Sequence, residues 1–239
     1  MKKYKYLIFD ADHTLYDYIA DELQAFRDLY AELGLHVTDE LLAFSRHNSE
    51  TVWTEAGLYD VHSPKIQACY HALYRSHVKG IFENVFAKFP CEADPEKTGE
   101  RFLYHLSRQG KLFDGAYGVL SALSKKKGGR YEIMVGTNGL SFIQEGRLRG
   151  IQDLVERIFV SQTLNAIKPL PAFYHGIFRA LNATADECLM IGDSLSSDIA
   201  GANAVGMDAC WFNPKGAELT GNIKPKYQIA SLEELLTIL

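Results

Sequence analysis

Residues 6–17, YLIFDADHTLYD, set a compact apolar run directly before aspartates at positions 10, 12 and 17. The run is short and rich in Tyr, Ile and Phe, which predicts a buried strand. The acidic crowding after it needs a cause, since like charges repel. A calcium loop starting at Asp10 would require glycine at its sixth position and glutamate at its twelfth. The chain has Leu15 and Asp21 there, and a strand rather than a helix in front, so that reading is excluded.

Outward from this stretch the pattern changes character twice. DELQAFRDLYAELG (21–34), KIQACYHALYRSHVKGIFENVF (65–86) and DPEKTGERFLYHLSRQG (94–110) space their apolar residues as helices do, and the first stops at Gly34. YEIMVG (131–136), RIFVSQ (157–162), ECLMIGD (187–193) and DACWF (208–212) then read as strands, with helical segments around 116–127, 140–149, 170–181 and 195–205 between them. Strands alternating with helices imply a parallel sheet covered on both faces. The expected fold is α/β: a doubly wound, Rossmann-like core over 1–16 and 111–239, with an all-helical cap inserted at 17–110.

Composition narrows the function. With 239 residues, 47% of them hydrophobic, the chain can bury a sizeable core. Its net charge of −5, with both signs mixed and no basic block, argues against a nucleic-acid polymer as partner. No apolar run approaches the roughly 20 residues of a membrane helix. The opening MKKYKYLIF begins basic and then apolar, but Asp10 interrupts it too early for a signal peptide. A cytoplasmic protein is expected. The scattered Cys69, Cys91, Cys188 and Cys210 lack zinc-site spacing and are expected to be buried free thiols. Nothing in the sequence specifies an oligomeric state.

The conspicuous polar residues fall where an open parallel sheet binds ligands, beyond the carboxyl ends of its strands. Asp10 and Asp12 follow the first strand, Thr137-Asn138-Gly139 the second, Lys168 the third, and Asp193 and Asp198 the fourth. Singly, each has an ordinary explanation as a turn, a solvated lysine or a helix cap. Four such groups at successive strand ends are hard to explain as turns.

DADHT (10–14), Thr137, Lys168 and GDSLSSD (192–198) resemble, in order, the four motifs of haloacid dehalogenase-superfamily phosphatases, and the helical insert resembles their type 1 cap. The resemblance implies Mg²⁺ held by Asp10, Asp193, the backbone carbonyl of Asp12 and, directly or through water, Asp198. It implies Asp10 as nucleophile, forming an aspartyl-phosphate, and Asp12 as the acid and base of the two half-reactions. Thr137, with Asn138 and Gly139, would bind the phosphoryl group, and Lys168 would neutralise charge. Asp12 stands where dehalogenases of the superfamily lack an acid, and Thr14 where its mutases carry valine. His13 replaces a glycine common at that position. A signalling receiver also uses Mg²⁺, an aspartate and a lysine, but there the phosphorylated aspartate ends a later strand, before the lysine, whereas here the second acidic cluster follows Lys168 and an all-helical insert interrupts the chain.

The substrate implied is a small phosphomonoester. FDADHTLYD, TNGLSFIQEGRLRGIQDLVERIFVSQTLNAIKP and ACWFNP are most similar to pyrimidine 5′-nucleotidases of the superfamily, with sugar-phosphate or phosphoglycolate phosphatases as the alternative. In the cap, Trp53 is the candidate contact to a base. Tyr70 and Tyr74, at helical spacing, read as core.

Overall fold

Six parallel strands make up the sheet of the computed structural model, which describes residues 4–219 and 222–239. In chain order they are β1 (Tyr6–Phe9), β2 (Glu132–Thr137), β3 (Arg157–Val160), β4 (Cys188–Gly192), β5 (Asp208–Phe212) and β6 (Tyr227–Ile229). Their spatial order is β3-β2-β1-β4-β5-β6, so the winding reverses between β1 and β4. That reversal opens the crevice in which doubly wound sheets hold their ligands. β6 was not anticipated from sequence. It is a three-residue edge strand, too short to carry a periodic signal.

The helices are α1 (Tyr18–Glu32), α2 (Asp39–Glu55), α3 (Pro64–Lys88), α4 (Pro95–Leu106), α5 (Ala116–Leu123), α6 (Ser141–Arg147), α7 (Ser161–Leu164), α8 (Pro171–Leu181), α9 (Ala200–Ala204) and α10 (Leu235–Ile238). β1 and β4 are buried along their whole length, as strands covered on both faces must be. Successive side chains leave opposite faces. Leu7 and Phe9 of β1 pack in one core with Val119 and Leu120 of α5, while Tyr6 and Ile8 pack in the other with Phe173 and Ile177 of α8.

The chain divides into two compact units. One contains the sheet and comprises residues up to Asp17, Leu112–Ser141 and Leu148–Leu239. The other comprises Tyr18–Lys111 and, unlike the expected division, Phe142–Arg147 of α6. A buried ion pair explains that addition. Arg147 donates from Nε (3.1 Å) and a terminal nitrogen (2.8 Å) to Asp21 Oδ2. Asp21 Oδ1 accepts the backbone N–H groups of Gly110 (3.1 Å) and Lys111 (2.8 Å), so both ends of the insert and α6 meet at one carboxylate.

Sequence explains the second unit's helices. Thr38 and Asp94 cap α2 and α4 by accepting the N–H groups of Leu41 and Lys97, and prolines open α3 and α4. Phe26 stacks on Phe102 at 4.5 Å and meets Phe82 edge-on, tying α1, α4 and α3 together. Among the described residues no helix is long and apolar enough to cross a membrane. All four cysteines are free. Cys188 and Cys210 are buried, as expected, whereas Cys69 and Cys91 are only half-buried.

Candidate active site

The side chains singled out from the sheet unit lie on its carboxyl edge. Asp10 directly follows β1, the strand between β2 and β4. Its neighbours at the rim are therefore Thr137 at the end of β2 and Asp193 just past β4. Lys168 comes from the segment after β3 and α7, and its ammonium is the centre of the arrangement. Nζ donates to Asp10 Oδ1 (2.5 Å), Asp198 Oδ1 (2.7 Å) and the Gly136 carbonyl (2.9 Å), which occupies all three of its hydrogens.

Lys168 is 2% exposed and Asp198 fully buried. Burial alone would lower the lysine's pKa, but the carboxylates of Asp10 and Asp198 outweigh it and hold the ammonium above its usual range. The carboxylates are pushed the other way. Burial raises Asp10 to about 7 against the pull of Lys168, with repulsion from Asp198 and Asp12 added. Burial and the charge on Asp10 raise Asp193 to about 7 as well. Asp198 is also raised, chiefly by burial.

Oxygens of Asp10, Asp193 and Asp198 lie within 4.8 Å of one another. Three carboxylates thus face one ammonium, a surplus of negative charge in a nearly dry place. Asp10 Oδ2 accepts no hydrogen bond from any described residue. Hard oxygen donors and surplus negative charge fit a divalent cation such as Mg²⁺. The Asp12 carboxylate is outside this triplet, and Asp12 is half-buried in the turn after β1.

Local structure explains how each group is aimed. The Asn138 side chain clasps the Lys168 peptide, its Oδ1 accepting the N–H (2.8 Å) and its Nδ2 donating to the carbonyl (3.1 Å). Asn138 therefore orients the lysine. Gly139 has φ +145°, and its N–H donates to Ser161 Oγ at 3.0 Å. Thr137 is buried and donates to the Asn138 carbonyl at 3.3 Å. Ser194 opens a π-helical turn, Leu195–Ile199, and its N–H donates to Asp198 Oδ2 at 3.1 Å. A methyl group on Gly192 would collide with the Asp198 carboxylate, so that position has room only for hydrogen.

His13 has φ +64° and an exposed side chain. A left-handed turn residue accounts for a glycine being common there, and histidine holds it at some local cost. Trp53 belongs to the second unit. Its ring is half-buried and meets Tyr59, Tyr70, Tyr74 and His77 edge-on, with centroids 5.0–6.3 Å away. Tyr70 and Tyr74 are buried, as core residues are, and Tyr59 is exposed.

Sequence reading missed several groups. The Gly136 carbonyl left no trace because backbone acceptors carry no residue identity. Tyr174 donates to the carbonyls of Ser197 (2.9 Å) and Asp198 (3.2 Å), and Trp211 Nε1 to that of Asp193 (2.8 Å). Both look like core aromatics in sequence.

Comparison with known proteins identifies the family. A family model for haloacid dehalogenase-like hydrolases matches residues 4–206. The pyrimidine 5′-nucleotidase PynA of Streptococcus pneumoniae is 31% identical over 99% of this chain and 95% of its own. The pyrimidine 5′-nucleotidase YjjG of Escherichia coli is 25% identical over 99% and 98%. The crystal structure of the HAD-hydrolase YfnB of Bacillus subtilis, bound to magnesium, superposes with a TM-score of 0.81 at 29% identity, over 99% of both chains. The chain belongs to the haloacid dehalogenase-like hydrolase family.

Proposed function

We propose that this hydrolase is a Mg²⁺-dependent phosphomonoesterase that works through a phosphorylated Asp10, with a pyrimidine nucleoside 5′-monophosphate as its substrate. The observation that carries the chemistry is the imbalance at the rim, three carboxylates within 4.8 Å against one saturated ammonium. The substrate class is supported by the two full-length relatives named as pyrimidine 5′-nucleotidases.

Asp10 and Asp193 would hold the cation by carboxylate oxygens and Asp12 by its carbonyl, with Asp198 directly or through a water. Bound there, Mg²⁺ supplies positive charge that offsets both the carboxylates and an incoming phosphate. Asp10 Oδ2, free of hydrogen bonds among the described residues, attacks phosphorus, and the bond from phosphorus to the ester oxygen breaks. Lys168 keeps Asp10 Oδ1 turned away and pins the carboxylate in one rotamer. Asp12, two residues on, delivers a proton to the departing oxygen. It then takes a proton from the water that cleaves the acyl-phosphate, regenerating Asp10. Thr137 Oγ1 and the Asn138 N–H would donate to the phosphoryl oxygens, and Gly139, whose own N–H is held by Ser161 Oγ, would shape the turn that presents them. Trp53 is the candidate base contact. Free thiols and a metabolite substrate suit a cytoplasmic setting.

Phosphate release from a panel of pyrimidine and purine nucleoside monophosphates, sugar phosphates and phosphoglycolate tests this reading. Mg²⁺-dependent preference for pyrimidine nucleotides is expected. Preference for sugar phosphates would keep the chemistry and replace the substrate, and turnover indifferent to Mg²⁺ would remove the cation.

A further inference from the structure

The three rim carboxylates are not held alike. Asp10 and Asp198 are gripped by Lys168, and Asp198 also accepts the Ser194 N–H. Asp193 forms no ion pair among the described residues. Two neutral donors place it instead. Thr14 Oγ1 donates to Asp193 Oδ1 (3.2 Å) and accepts the Asp193 N–H (3.0 Å). Trp211 Nε1 donates to the Asp193 carbonyl at 2.8 Å.

The peptide that carries Asp193 is thus fixed from both sides, by the loop after β1 and by β5. Trp211 lies opposite Gly192 in the β4–β5 register, immediately before the residue it holds. Its ring is 3% exposed and packs in the core with Met190 and Ile199, so the indole cannot follow the loop if the loop moves. An indole has one N–H and no acceptor, and here that single hydrogen bond is spent on the Asp193 carbonyl. A buried indole N–H must find an acceptor, and the acceptor here is the carbonyl of the residue that carries the third rim carboxylate.

We propose that Trp211 is a positioning residue for the divalent cation. By fixing the Asp193 peptide it sets the direction of the Asp193 carboxylate, the one rim carboxylate that Lys168 does not hold. The assignment rests on the reading of this rim as a Mg²⁺ site. Groups that orient a metal ligand from outside typically cost about 10–100-fold in metal affinity when removed.

Calorimetric titration of Mg²⁺ into the full chain tests it. Trp211→Phe is expected to bind Mg²⁺ about tenfold more weakly than the unaltered protein. Its melting temperature without Mg²⁺ should stay within a few degrees, and its phosphate release should recover at saturating Mg²⁺. A folded variant whose Mg²⁺ affinity stays within about twofold of the original overturns the assignment, and so does a loss of stability with affinity unchanged. If the unaltered protein takes up no Mg²⁺, the cation reading falls first and this assignment with it. Should Trp211→Phe fail to fold, Trp53→Phe decides, because the chain has two tryptophans and that variant leaves Trp211 alone. Its emission should then change saturably over the Mg²⁺ range of the calorimetric isotherm. An emission blind to Mg²⁺ would refute the proposal.

Discussion

Two buried charge clusters in this molecule are built on opposite principles. In the second unit Asp21 and Arg147, each with 2% of its side chain exposed, balance one for one, and Gly110, Lys111 and Gln144 complete the hydrogen bonds. At the sheet's edge one lysine faces Asp10, Asp193 and Asp198. Balanced burial joins segments far apart in sequence. Unbalanced burial stores an electrostatic demand that only a cation or a proton can meet. Burial of charge therefore does not mark the reactive site by itself, and the sign and size of the surplus do.

The sharpest way to break the comparison is to neutralise one member of the surplus. Asp10→Asn should cut phosphate release by at least about 10⁴-fold, the scale of losing a nucleophile. The fold should persist, because Asp198 still pairs with Lys168. Substantial residual turnover would displace Asp10 from the mechanism. Arg147→Met should do the reverse, destabilising the protein by about 3–5 kcal/mol in denaturant titrations by stranding a buried carboxylate. Joint replacement with Asp21→Leu should restore part of that loss, and equal stability of both variants would undo the pair's structural role.

Adding Mg²⁺ separates the clusters more gently. At a hundredfold excess over its dissociation constant it should stabilise the protein by about 2.7 kcal/mol in thermal unfolding, and much less in Asp10→Asn. The smallest expected effect is on pH dependence. Asp10 and Asp193 have folded pKa values raised to about 7, above those of the unfolded chain, so the folded state holds more protons between the two values. Stability of the metal-free protein should therefore fall as pH rises from about 4 to about 7, and Mg²⁺ should flatten that fall. A melting temperature that climbs across the window in metal-free buffer would contradict the charge surplus.

Much of the architecture was legible in the sequence because alternation and strand-end polarity are properties of residue type. The apolar run before Asp10 and the polar groups after the next three strands, β2, β3 and β4, were enough to place the rim. What stayed hidden depends on contacts across long separations. Asn138 reaches a peptide 30 residues away, and Arg147 reaches a carboxylate 126 residues back. Neither partner can be read from spacing. The addition of Phe142–Arg147 to the second unit follows from that unread pair. The Gly136 carbonyl and β6 were lost for simpler reasons, the one being backbone and the other an edge strand of three residues.

The distribution of thiols has a practical consequence. Burial pushes Cys188 and Cys210 up to about 12, and both lie inside the sheet unit, where no alkylating reagent finds a thiolate near neutral pH. Cys69 and Cys91, both in the second unit, keep part of their surface in solvent. Maleimide dyes should therefore write on one unit and leave the other blank. The native chain already carries an optical marker for its helical insert, with no engineered cysteine and none to remove.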